Sequence, residues 1–294
     1  MIGGTNILIM VTQESDVNMV IDTHVHFPNI PGYLDELMET AARLGIDRMV
    51  LFSGAPGSRW ASNDMVLEAS HRHPQVFIPF YCFRPGVNNP KEVEDAYKSG
   101  FKGLKVINPT SNYNDENYFP IWERCEHLGM PVLFHTGIIA RRPEQVDQDI
   151  DSSRMKVIYL DRIARRFQKL TMLVAHLGNP DHAEACMMCR WHANMYFDLS
   201  GSTLKYRKPS FFREMFWWDR DTQRYRDEFG RGPWEKIIFG TDVSPAEMED
   251  VMNDYRRLFR ALRLSPELQA AVMGKTAARL LSVSSPGGEK QDSE

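Results

Sequence analysis

Five side chains carry most of the chemistry legible in this 294-residue chain: His24, His26, His135, His176 and Asp242. His24 and His26 stand one residue apart in the apolar stretch 19–27, Met-Val-Ile-Asp-Thr-His-Val-His-Phe. On a strand, alternate side chains share a face, so the two imidazoles point the same way. Two imidazoles at a strand end can grip one metal ion, and imidazole suits zinc. A single His-x-His is a weak pattern, and its weight comes from the company it keeps. His135, His176 and Asp242 each close another apolar run, where an unpaired charge is costly to bury. Three imidazoles and a carboxylate supply ligands for one zinc-like ion with room left for water.

Placing these residues together requires a particular set of elements. Apolar runs at 48–53, 76–82, 103–107, 131–135, 170–176, 195–199 and 237–242 follow the first strand. Their continuous apolar character is that of parallel strands covered on both faces. Between them lie helical patterns at 32–45, 61–73, 90–99, 116–129, 155–168 and 181–192, and helices 246–262 and 266–281 close the chain. Eight strands alternating with helices predict a (β/α)8 TIM barrel, an α/β single domain over 19–283. An open doubly wound sheet would place a Gly-rich phosphate turn after strand one, where this chain has His-x-His-Phe-Pro.

In such a barrel, functional side chains sit at the C-terminal ends of strands. That rule adds Lys105 on strand four, a lysine that either meets substrate or snorkels to the mouth. Arg59 and Trp60 follow strand two, Arg84 follows strand three and Arg141-Arg142 follow strand five. Arg59 and Arg84 are candidates to hold a substrate carboxylate through a guanidinium fork. Asn108, Pro109 and Tyr113 are expected near the mouth.

Five motifs in order, Ile-Asp-Thr-His-Val-His, Gly-Phe-Lys-Gly-Leu-Lys, Pro-Val-Leu-Phe-His-Thr-Gly, Ala-His-Leu-Gly and Phe-Gly-Thr-Asp, resemble the amidohydrolase superfamily over about residues 19–281. The chain is most similar to the branch that contains aminocarboxymuconate semialdehyde decarboxylase and several lactonases. The resemblance implies that His24, His26, His135 and Asp242 bind the metal and that His176 stands behind them or acts catalytically. It also implies two alternatives for Lys105: a carboxylated bridge between two ions, or a contact to an anionic substrate. Some decarboxylases of this branch open with Glu-x-His, so the His-x-His here leaves hydrolysis and decarboxylation both open.

The expected function is therefore a zinc- or manganese-dependent hydrolase, with one or two ions. It activates water to open an amide, lactone or ester in a small, carboxylated substrate. Asp242 and His176 serve as catalytic residues, and Lys105, Arg59 and Arg84 as substrate contacts. Non-oxidative decarboxylation at the same site is the alternative, and a metal-free binding barrel is the second.

Bulk properties narrow the partners. A net charge of −4 without basic clustering argues against nucleic acid. No apolar run approaches the ~18 residues that span a bilayer. Four cysteines make no disulfide framework and fit a cytoplasmic protein. Cys186-Met-Met-Cys189 with His182 and His192 lies along one helix stripe, which cannot wrap an ion, so two buried thiols are expected. Residues 1–18 read as a flexible leader and 284–294 as a disordered tail. The insert 201–235 interleaves aromatic, basic and acidic residues and reads as a lid or a homodimer contact.

Overall fold

The computed structural model describes residues 19–54, 59–140, 148–220 and 227–283. The expected leader, tail and Arg141-Arg142 lie outside these residues. Eight parallel strands pair in sequence order: β1 Ile21–His26, β2 Arg48–Phe52, β3 Phe77–Phe83, β4 Gly103–Val106, β5 Val132–Phe134, β6 Met172–Val174, β7 Met195–Asp198 and β8 Ile237–Ile238. Helices intervene: α1 Tyr33–Leu44, α2 Asn63–Arg72, α3 Glu92–Ser99, α4 Phe119–Leu128, α5 Tyr159–Arg166 and α6 His182–Trp191. After β7 come the short helices α7 Ser202–Tyr206 and α8 Pro209–Met215. Helix α9, Met248–Leu262, follows β8 and leads into a final run from Pro266 to Leu280 that contains one π-turn. The TIM barrel expected from the strand–helix alternation is the fold.

The barrel closes through hydrogen bonds between its first and last strands. The Thr23 amide donates to the Phe239 carbonyl at 2.9 Å and the Asp242 amide to the His24 carbonyl at 2.9 Å. Asp22 accepts from the Thr241 amide at 3.0 Å and from its hydroxyl at 2.6 Å.

Strand parity decides what enters the barrel. Val50 and Phe52, Ile78 and Phe80, Leu133, Leu173, Tyr196 and Ile238 form the inner core, whereas Met49, Leu51, Val132, Met172, Met195 and Ile237 meet the helices. Continuing the inward parity by two residues places Lys105 above Gly103, His135 above Leu133 and Asp198 above Tyr196. Gly103 is required there: a Cβ on it would lie 2.4 Å from the Phe80 ring.

Strand β1 departs from this parity. Ile21 belongs to the inner core, so an unbroken strand would turn His24 outward. The pairing with β2 advances from Asp22↔Met49 to Val25↔Leu51, one extra residue on β1. Such a bulge re-aims the residues beyond it. Val25 then packs outward, and His24 and His26 reach the mouth.

The expected strands 170–176 and 237–242 are shorter than the sequence suggests, and their last residues lie in turns rather than ladders. The aromatic insert carries a packed cluster of its own. Phe212, Phe216, Trp218 and Trp234 are buried against one another, although Trp217 is half exposed. Arg220, Asp221, Arg224 and Arg226, which belong to the insert's charge pattern, have no described side chains. Cys186 and Cys189 are buried thiols, as expected.

Candidate active site

The tightest cluster of metal-capable side chains is His24, His26 and Asp242, whose ligand atoms all lie within 4.8 Å of one another. The Nε2 atoms of His24 and His26 are each 3.5 Å from Asp242 Oδ1. Ligand bonds of ~2.0–2.1 Å in tetrahedral array put neighbouring ligand atoms about 3.4 Å apart. The observed spacing fits one ion.

The far nitrogens of both rings are engaged. His24 Nδ1 pairs with Asp198 Oδ2 at 2.8 Å, and His26 Nδ1 donates to the Ser53 carbonyl at 3.1 Å. Each Nε2 lone pair is thereby turned to the cluster, the orientation metal-bound histidines require. The fit extends to His135, whose Nε2 is buried with no hydrogen-bond partner among the described residues. A buried polar atom without a partner is costly, and a metal ion would satisfy it. His135 stands outside the 4.8 Å cluster, with its ring 5.0 Å from that of His176. The Tyr113 hydroxyl holds its carbonyl at 2.9 Å, so Tyr113 is a buried strut rather than part of the mouth.

His176 reaches the site by a strained path. Parity would send it outward after Val174. Instead His176 and Leu177 adopt φ of 63° and 46°, and Gly178 follows at 68°. Non-glycine residues rarely take this conformation, and it persists only where surroundings enforce it. Here Asp198 Oδ1 accepts the His176 amide at 2.8 Å, and the Thr203 hydroxyl donates to the His176 carbonyl at 2.7 Å. Its Nε2 ends 3.8 Å from Asp242 Oδ2.

Burial pushes the His26 imidazole down to about 3 and holds His135 well below, and His176 below, the ordinary histidine range. All three rings thus hold a proton more weakly than a free imidazole, which favours metal binding. Burial alone would raise the Asp242 carboxyl, but His24, His176, His26 and Lys105 outweigh it and keep it low. The same contest keeps Asp198 well below the usual range, with His24 as its main counterweight. Burial lifts Asp22 to about 6, against hydrogen bonds from Thr241 and the His24 amide and the nearby His24 ring.

Lys105 is fully buried, with Nζ 3.2 Å from His24 Nε2 and 4.9 Å from the Phe52 ring centroid. It does not snorkel to the mouth. Burial lowers its ammonium to about 8.

Above the cluster opens a cavity of about 280 Å³. His26, His135, His176 and Asp242 line it, with Trp60, Ile107, Ile138 and Ile139 as an apolar wall and Thr136, Asn179 and Ser202 as polar points. Among its described lining residues there is no lysine or arginine. Arg59 is exposed, its guanidinium 4.8 Å from the ring centroid of the lining residue Trp60. Arg84 is not brought to the cavity. Its Nε and an η nitrogen donate to the carbonyls of Asn108 and Asp149, both at 2.7 Å, which ties three loops together. Asn108 is buried too.

Sequence reading missed Asp198 and Ser200. The signal was present: an aspartate in the apolar run Met-Tyr-Phe-Asp-Leu has the same buried-charge anomaly that singled out Lys105.

An eight-stranded parallel barrel whose C-terminal mouth gathers histidines and an aspartate defines a class of metal-dependent TIM-barrel enzymes. The amidohydrolase family model matches residues 21–283, and the chain belongs to that family. No curated protein matches the chain. Among solved structures, it is similar to 5-carboxyvanillate decarboxylase from Sphingomonas paucimobilis, at 16% identity and a TM-score of 0.62 over 90% of this chain and 99% of that one. A dihydroxybenzoic acid decarboxylase from Polaromonas with bound manganese shares 15% identity at a TM-score of 0.62, over 90% and 97%. A probable 2-pyrone-4,6-dicarboxylic acid hydrolase from Acinetobacter baumannii shares 13% at 0.59, over 90% and 99%. At these identities the likeness is one of fold. No helix among the described residues is long and apolar enough to cross a membrane.

Proposed function

We propose that the chain is a mononuclear metal-dependent hydrolase that opens an amide, lactone or ester in a small substrate with one apolar face. The observation that carries this reading is the pair of Nε2 atoms on His24 and His26, each 3.5 Å from Asp242 Oδ1. His24, His26, His135 and Asp242 would hold zinc or manganese. When bound, the ion supplies Lewis acidity toward a carbonyl oxygen or a water.

The remaining work falls to the chain's own groups. Asp242, held ionised, takes a proton from the attacking water at its carboxylate and returns it to the leaving nitrogen or oxygen as the carbonyl–heteroatom bond breaks. His176 Nε2, beside Asp242 Oδ2, is a second proton acceptor for the attacking water. Trp60 and the isoleucines hold the substrate's apolar face and exclude bulk water, while Thr136, Asn179 and Ser202 orient its polar edge. Arg59, stacked on the lining residue Trp60, is the cation assigned to a substrate carboxylate. Lys105 lies beneath His24 and acts through that ring, so a direct contact to substrate is not part of this reading. The four free thiols suit a reducing cytoplasm.

Decarboxylation is favoured by one feature, the apolar wall, since a desolvated carboxylate loses CO2 more readily. Two measurements separate the readings. Elemental analysis of protein purified without chelator should give about one ion per chain, lost in His24→Ala and Asp242→Ala. Turnover of a lactone and carboxylate panel in H2(18)O should place label in the product acid without releasing CO2. CO2 release without label would establish the lyase instead. Full metal content in both variants would remove the site altogether.

A further inference from the structure

We propose that Ser200 is a positioning residue that fixes the tautomer of His176. It sits between that ring and Asp198, so one buried carboxylate orients two imidazoles. The proposal rests on the role given to His176 above.

Asp198 Oδ1 accepts from the His176 amide at 2.8 Å, the Ser200 amide at 2.9 Å and the Ser200 hydroxyl at 2.5 Å. Its Oδ2 faces His24 Nδ1 at 2.8 Å. Two of these partners are backbone N–H groups, which only donate, so Oδ1 is an acceptor. The serine has a single hydroxyl proton, and the 2.5 Å contact commits it to Oδ1. What the Ser200 oxygen presents to His176 Nδ1, 2.9 Å away, is then a lone pair. His176 Nδ1 must carry the ring's proton, and its Nε2 must be bare.

That tautomer is the one the proposed chemistry needs. A bare Nε2 beside Asp242 Oδ2 makes a pair of acceptors able to take a proton from one water or substrate hydroxyl. The other tautomer would put an N–H there and leave a buried Nδ1 facing a second acceptor. His24 receives the same instruction directly, through its own Nδ1 contact to Oδ2. The 198–203 segment is built around this arrangement. Gly201, at φ 66°, leaves room for the ring: a Cβ there would lie 3.1 Å from His176 Nδ1. Thr203 fixes the His176 carbonyl. Asp198, Ser200, Gly201 and Thr203 together accommodate a ring that strand parity would turn away.

The test is the two-bond 1H–15N spectrum of protein labelled at histidine, recorded with and without zinc. Resonances are assigned by their loss in His176→Ala. Wild-type His176 should show a protonated Nδ1 and an unprotonated Nε2. In Ser200→Ala the proton should redistribute toward Nε2, and Ser200→Thr, which keeps the hydroxyl, should restore the wild-type pattern. Zinc content should stay at the wild-type level in both variants. A wild-type ring protonated on Nε2 would overturn the proposal whatever the variants do. So would a Ser200→Ala spectrum identical to wild type. Neither result touches the hydrolase reading, which metal content and 18O incorporation decide separately.

Discussion

His24 Nδ1 and Asp198 Oδ2 lie 2.8 Å apart with both side chains fully buried, joining the first and seventh strands beneath the cluster. This contact decides which nitrogen of His24 is available. With Nδ1–H given to the carboxylate, Nε2 is left as a donor to metal.

Asp198→Asn tests that dependence. An amide is nearly isosteric and its oxygen can still accept the His176 and Ser200 amides. It carries no charge, and its NH2 would confront His24 Nδ1–H. Loss of a carboxylate behind a metal-binding histidine typically lowers metal affinity by about 10–100-fold. Zinc titration against a competing chelator should show a loss of that order, with the far-ultraviolet circular dichroism spectrum unchanged. Wild-type affinity in Asp198→Asn would mean that the ring is oriented by packing alone.

A second expectation concerns Lys105. Its Nζ lies 3.2 Å from His24 Nε2, against the lone pair a metal would use. In the mononuclear reading this lysine is not a ligand. Lys105→Met should therefore still bind about one zinc per chain, at equal or tighter affinity because a competing donor and a neighbouring positive charge are gone. If wild type holds two ions and Lys105→Met holds one or none, the lysine is a bridge.

The third prediction is the pH dependence of stability in chelator-treated protein. Burial holds His26 at about 3 against an ordinary 6.5, and lowers His135, His176, His182 and His192 as well. Below pH 6.5 the unfolded chain takes up protons at these rings while the folded chain does not. Stability is therefore highest above that pH and falls as pH drops toward 3. Asp22, raised to about 6, works in the opposite sense between 3.8 and 6, where the folded state binds the extra proton. Five rings outweigh one carboxyl. Urea midpoints should fall steadily from pH 7 to pH 5. A flat or rising profile would show that the rings are solvated.

The barrel and most of its mouth were legible because apolar runs and strand-end charges are local signals. His135 followed from simple alternation once its strand was recognised. What sequence periodicity could not supply was direction. The β1 bulge that turns His24 inward depends on pairing with β2. The left-handed turn that brings His176 back depends on Asp198 and Thr203, more than twenty residues further on. Arg84 shows the same limit: strand order puts it on the expected face, while carbonyls from two other loops accept from its Nε and one η nitrogen. Asp198 carried the buried-charge signal in its own run, but its partners His24 and His176 are distant in sequence.

The seam where β8 meets β1 has one more consequence. Asp242 comes from one side of it and His24 and His26 from the other, and the Asp242 amide bonds directly to the His24 carbonyl. These residues are separated by most of the chain. The candidate metal cluster therefore cannot exist in a partly formed barrel: the segment after β8 must arrive before β1 acquires its missing partner. In the proposed reading, metal uptake would report the completion of folding, and a seated ion would act as a clasp across that joint.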